Sequence, residues 1–120
     1  MIQNRFESIR KEISGTEWLC SQTKIDFEID EENQTGIISG TLVFLDGSVF
    51  HFKEVLVGKK RRYRFHYMDR DDNLITRWDN APHYRDLKTF PHHVHLPNAV
   101  KECEEMGFFV YGSHENDQGA

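Results

Sequence analysis

The sequence predicts an α+β domain: an N-terminal helix packed on a curved antiparallel sheet of about five strands, with a short C-terminal helix. Three observations lead there. Apolar residues recur at helical spacing near the N-terminus, they alternate with polar residues from Trp18 onward, and clusters of Asp, Gly and Asn separate the alternating runs.

Ile2, Phe6, Ile9 and Ile13 are spaced 4, 3 and 4, one stripe of a helix over residues 1–14, and Gly15 stands where a C-terminal cap falls. Ile25, Phe27 and Ile29 alternate with acidic residues, as in a half-buried strand. Residues 37–45 and 49–57 read as a hairpin about Asp46-Gly47, a pair suited to a two-residue type I′ turn. A basic turn, 58–62, leads to Tyr63, Phe65 and Tyr67, which alternate with Arg64, His66 and Met68; after a turn, Leu74, Thr76 and Trp78 alternate with Ile75, Arg77 and Asp79. Matching the apolar faces of this second hairpin puts Arg64, His66, Arg77 and Asp79 on one side. Pro82, Pro91 and Pro97 break up residues 80–97. A helix then starts near Asn98 with Val100, Cys103 and Met106 facing inward, and residues 108–111 form a last short strand. Residues 1–112 read as one domain and 113–120 as a flexible tail without apolar anchors.

With 120 residues, 12% of them aromatic, the chain can collapse around one modest core. Its formal net charge of −5 argues against a surface coated with cations for non-specific duplex binding. Cys20 and Cys103 make no disulfide framework and read as small core residues. Residues 1–5 open no signal peptide and no apolar run reaches the length of a membrane span, so the cytoplasm is the expected compartment and no membrane partner is expected.

The chemistry concentrates in residues 66–95. Histidine moves protons near neutral pH, and four of the seven histidines, His83, His92, His93 and His95, fall beside the Arg/Asp hairpin. Phosphodiester cleavage needs a base, an acid and a cation on the phosphoryl oxygens. His66, His83, His92, His93 and His95 are candidate proton carriers, Arg77 and Arg64 candidate cations, and Asp79 a candidate for orienting an imidazole or arginine. An RNA substrate supplies its own nucleophile in the 2′-hydroxyl, so no metal or other cofactor is required. Lys59, Lys60, Arg61 and Arg62 would add attraction for phosphate. The same residues also fit a solvated cross-strand ladder. In an extended chain His93 and His95 of the His92–His95 cluster point to one side, so a metal-dependent hydrolase with a further ligand from His83 or Asp79 stays an alternative, as does a partner- or nucleic-acid-binding module without catalysis. Gly-rich phosphate loops, nucleophile elbows and dinucleotide fingerprints are missing.

Several runs follow one another in a distinctive order: Asp46-Gly47-Ser48, His51-Phe52 with Glu54, Tyr63-x-Phe65-His66-Tyr67-x-Asp69, Leu74-Ile75-x-Arg77-Trp78-Asp79-Asn80-Ala81-Pro82-His83, and Phe90-Pro91-His92-His93-x-His95. Over roughly residues 40–96 this pattern resembles the TumE family of small toxins from prokaryotic toxin–antitoxin pairs. The resemblance implies a growth-inhibiting protein neutralised by a cognate antitoxin, usually a DNA-binding protein. It carries no catalytic mechanism. Cleavage of RNA is read from the His/Arg/Asp set, and self-association as a homodimer is left open by the sequence.

Overall fold

The computed structural model describes residues 2–109. Helix α1 (Ile2–Ser14) and a 3₁₀ turn (Glu17–Leu19) precede seven strands: β1 (Cys20–Asp30), β2 (Thr35–Phe44), β3 (Val49–Val57), β4 (Lys60–Met68), β5 (Leu74–Asp79), β6 (His93–Leu96) and β7 (Ala99–Glu102). Every neighbouring pair is antiparallel and the spatial order is the chain order, so the sheet is an open meander.

Alternation divides the sheet into two unlike faces. On the inner face, Ile38, Leu42, Phe44, Phe50, Phe52, Tyr63, Phe65 and Tyr67 pack with Phe6, Ile9 and Ile13 of α1 into one core. Gly40 makes room there, since a Cβ on it would stand 2.5 Å from the Phe52 ring. Residues 103–109 run back over the same face, setting Phe108 5.0 Å from Phe52 and Phe109 5.0 Å from Trp78, edge to face. A buried charge ties the helix to the sheet: Glu54 of β3, fully buried, accepts two hydrogen bonds from Arg5 (2.9 and 2.7 Å) and one from Arg61 Nε (2.5 Å). The outer face carries no helix among the described residues, as antiparallel sheets allow.

The structure corrects the expected fold at several points. The sheet has seven strands rather than about five, and the C-terminal helix is absent among the described residues. In its place β6 and β7 form a hairpin about Pro97-Asn98, with Leu96 opposite Ala99. The three-residue spacing of Val100, Cys103 and Met106 imitated a helix, but Val100 is a strand residue opposite His95, and Met106 belongs to the returning segment against the core. The Asp46-Gly47 turn is not type I′, because only Gly47 has a positive φ (87°). Asp46 accepts bonds from the Ser48 amide and hydroxyl, while Phe44 N donates to Ser48 O and Gly47 N to Phe44 O. That is a longer loop with glycine at its left-handed position.

The basic turn is also shorter than expected. It consists of Gly58, at φ 59°, and Lys59, with Val57 pairing Lys60. Gly15 directly follows the helix, as expected, although its φ is not positive; the two cysteines, expected in the core, are half-buried. The expected strand at 108–111 is not formed at Phe108 and Phe109; its end and the tail at 113–120 lie outside the described residues.

Candidate functional site

The outer face of β3–β6 holds most of the residues singled out by the sequence. Register sets two adjacent cross-strand rows. One runs His51, His66, Arg77, His95; the other runs Lys53, Arg64, Asp79, His93. A residue two positions along a strand returns to the same face, so each strand contributes one member to each row. Between β5 and β6 the irregular segment 80–92 folds over the rows, and Phe90–Pro91 within it is cis. The result is a cleft of about 370 Å³ lined by Lys53, Arg62, Arg64, Arg77, Asp79, Asn80, His83, Tyr84 and His95, among others.

Asp79 lines the cleft and is 6% exposed. Its Oδ1 accepts from the Ala81 amide at 3.0 Å and lies 2.8 Å from His93 Nε2, while Oδ2 lies 3.4 Å from His95 Nε2. His93 is 2% exposed, and its Nδ1 lies 2.8 Å from the Pro91 carbonyl. A carbonyl oxygen only accepts, so Nδ1 carries the ring proton. His95 is half-buried, and burial pushes its pKa down; Asp79 opposes that, and His93 and Arg77 add to it. His66 is also shifted down, first by burial and then by the Arg77 guanidinium. Arg77 Nε donates to His66 Nδ1 at 2.9 Å. Neutral His66 therefore carries its proton on Nε2, and its Nδ1 lone pair is taken up by Arg77.

The other predicted residues do not all reach the cleft. His92 falls on the opposite side from His93 and His95: its Nδ1 lies 2.8 Å from the Tyr63 hydroxyl and its ring stacks on Tyr63, a core residue. His83 is exposed and lines the cleft. The four consecutive cations do not form one patch. Arg61 points inward to Glu54 and Glu105, Lys59 sits in the turn, Lys60 is exposed near the far end of β4, and only Arg62 lines the cleft, where it donates to the Asn80 carbonyl.

Sequence reasoning missed four participants. Lys53 joins Arg64 because of the β3–β4 register, which no local pattern reveals. His51, given no role from the sequence, pairs directly with His66 and meets Thr41 Oγ1 at 2.8 Å. Tyr84 sets its ring edge-on to His93 and His95, 4.8 and 5.7 Å away, and carried no signal beyond being aromatic. Asn80, 5% exposed, extends the ladder with its side chain, accepting from Tyr63 N and donating to the Arg61 carbonyl, and so fixes where the cleft-forming segment begins.

Residues 10–110 match the family described as toxin TumE. The chain belongs to the TumE toxin family. The match extends well beyond residues 40–96, taking in the C-terminal end of α1, all of β1 and the returning segment 103–109. As a TumE toxin the protein is the toxin component of a toxin–antitoxin pair, which implies a cognate antitoxin as partner. No curated protein and no solved structure matches it significantly. Among the described residues no helix is long and apolar enough to cross a membrane.

Several of the runs that carried the family resemblance turn out to serve the fold. Phe52, Glu54, Tyr63, Phe65 and Tyr67 are buried on the inner face. Arg77, Asp79, His83 and His95 instead line the cleft, with His93 buried against Asp79.

Proposed function

We propose that this TumE toxin acts in the cytoplasm by cleaving RNA, through metal-independent acid–base chemistry in the outer-face cleft. The observation that supports the reading is that two arginines and two imidazoles, Arg64, Arg77, His83 and His95, line one cleft around Asp79. Arg64 and Arg77 hold the phosphoryl oxygens and offset the charge that grows on them. Asp79 Oδ2 favours the His95 tautomer with its proton on Nε2, which leaves Nδ1 as the lone pair. His95 Nδ1 takes the proton of the 2′-hydroxyl, the 2′-oxygen attacks phosphorus, and the P–O5′ bond breaks. His83, in its imidazolium form, gives a proton to the leaving 5′-oxygen. The products are a 2′,3′-cyclic phosphate and a 5′-hydroxyl. Arg77 is steadied by its bond to His66, and His93 and Tyr84 pack around His95.

The test is incubation of purified toxin with RNA in excess chelator, followed by analysis of the new ends. Cyclic phosphates and 5′-hydroxyls are expected, and a single 2′-deoxy substitution at a cleavage position abolishes the cut there. Cuts that persist at the 2′-deoxy position would remove the mechanism.

A further inference from the structure

Proton transfer leaves one feature of the cleft unexplained. His93 donates from Nδ1 to Pro91, so a neutral ring directs its Nε2 lone pair toward Asp79 Oδ1, 2.8 Å away. That nitrogen is buried and has no aligned hydrogen bond. Lone pair facing carboxylate lone pair is a costly arrangement in a desolvated place. A second ring proton would turn the contact into an ion pair, and a metal cation bound by both atoms would relieve it equally.

The surroundings fit a metal. One ligand atom from each of Asp79, His93 and His95 lies within 4.8 Å of the others. In a tetrahedral zinc site the donors stand about 3.3 Å apart, so the side chains need only small adjustments. Two imidazoles and a carboxylate form a recurrent zinc donor set with one position left for solvent, and an Nδ1–H bond to a backbone carbonyl is what orients a ligating Nε2. His93 and His95 lie two residues apart on β6, and register carries Asp79 of β5 to His93. Arg77, which pairs with His95 across the strands, places positive charge beside the site and so weakens its hold on a cation.

We propose that Asp79, His93 and His95 form a zinc site, and that zinc bound there switches off the toxin's RNA cleavage. The second part rests on the reading of His95 as the base. A neutral imidazole that gives Nε2 to zinc keeps its proton on Nδ1, so the lone pair that would accept the 2′-hydroxyl proton is lost, and Asp79 is engaged by the metal. No proton is released overall, because the ring proton moves from one nitrogen to the other.

The test uses the whole toxin and zinc chloride, with binding followed by calorimetry and, separately, RNA cleavage followed across the same titration. One zinc per chain is expected, with affinity lowered at least about tenfold in His93→Ala and in His95→Ala, the latter at a half-buried position; circular dichroism verifies both folds. Cleavage falls as zinc binds and returns on chelation. Absence of binding, or binding equally tight in both folded variants, overturns the site. Binding that leaves cleavage unchanged or speeds it overturns the switch. A chelated toxin that cleaves nothing defeats the acid–base reading instead, and the calorimetry still decides the site.

Discussion

His95→Ala is expected to lower RNA cleavage by about a hundred- to ten-thousand-fold, the range that a positioned general base contributes. The loss falls on kcat more than on KM, because Arg64 and Arg77 still hold the phosphate. His95 is half-buried at the cleft, so its truncation removes little core packing and the variant should fold. His92→Ala makes the contrast. That ring stacks on Tyr63 on the other side of the sheet, so its removal should reduce stability and leave the cleavage rate of folded protein within a few fold. Rates and thermal melts of the two variants, measured together, separate the cleft from the scaffold. Equal loss of rate in both would contradict the division by strand parity.

Glu54→Ala is expected to cost about 3 kcal/mol of stability, the low end for breaking a buried ion pair. The lower end applies because Arg5, 36% exposed at its side chain, can turn to water, whereas Arg61, at 15%, stays largely enclosed. Burial alone would raise the Glu54 pKa, but hydrogen bonds and charge from Arg5 and Arg61 outweigh it and hold the carboxyl below its usual 4.5. Its folded pKa is thus depressed relative to the unfolded chain. The stabilisation is fully present above the unfolded value and is lost as pH falls through the folded one. Urea unfolding of wild type and Glu54→Gln at a series of pH values checks this. The gap between them should be wide at neutral pH and narrow below about pH 4.5. A gap that stays constant with pH would show that the carboxylate charge is not what ties α1 to the sheet.

The extent to which this molecule was legible follows from what period and parity can and cannot encode. Long alternating runs made β1 to β5 readable, and apolar parity alone placed Arg64, His66, Arg77 and Asp79 on one face. Parity also placed His93 with His95 and should have set His92 apart, but the clustering of imidazoles masked it. The last two strands were lost because each has only four residues, with Pro97 and Asn98 between them. Over that length a spacing of three and an alternation of two look alike. The run of cations misled for a related reason: consecutive residues on a strand face opposite ways, so Arg61 went to the core and Arg62 to the cleft. Register between strands was beyond the sequence, and with it the meeting of Lys53 with Arg64 and of His51 with His66. The role of Glu54 was equally hidden, because its partners lie 49 and 7 residues away.

The central claim is that the toxin works through the charged rows on the outer face of its sheet. The most direct measurement is growth of cells in which the toxin is induced without its antitoxin, as wild type and as Arg64→Ala/Arg77→Ala, with soluble, folded protein verified for both. Growth arrest by the wild type and near-normal growth with the double variant is the predicted result; undiminished arrest by the folded double variant would contradict it.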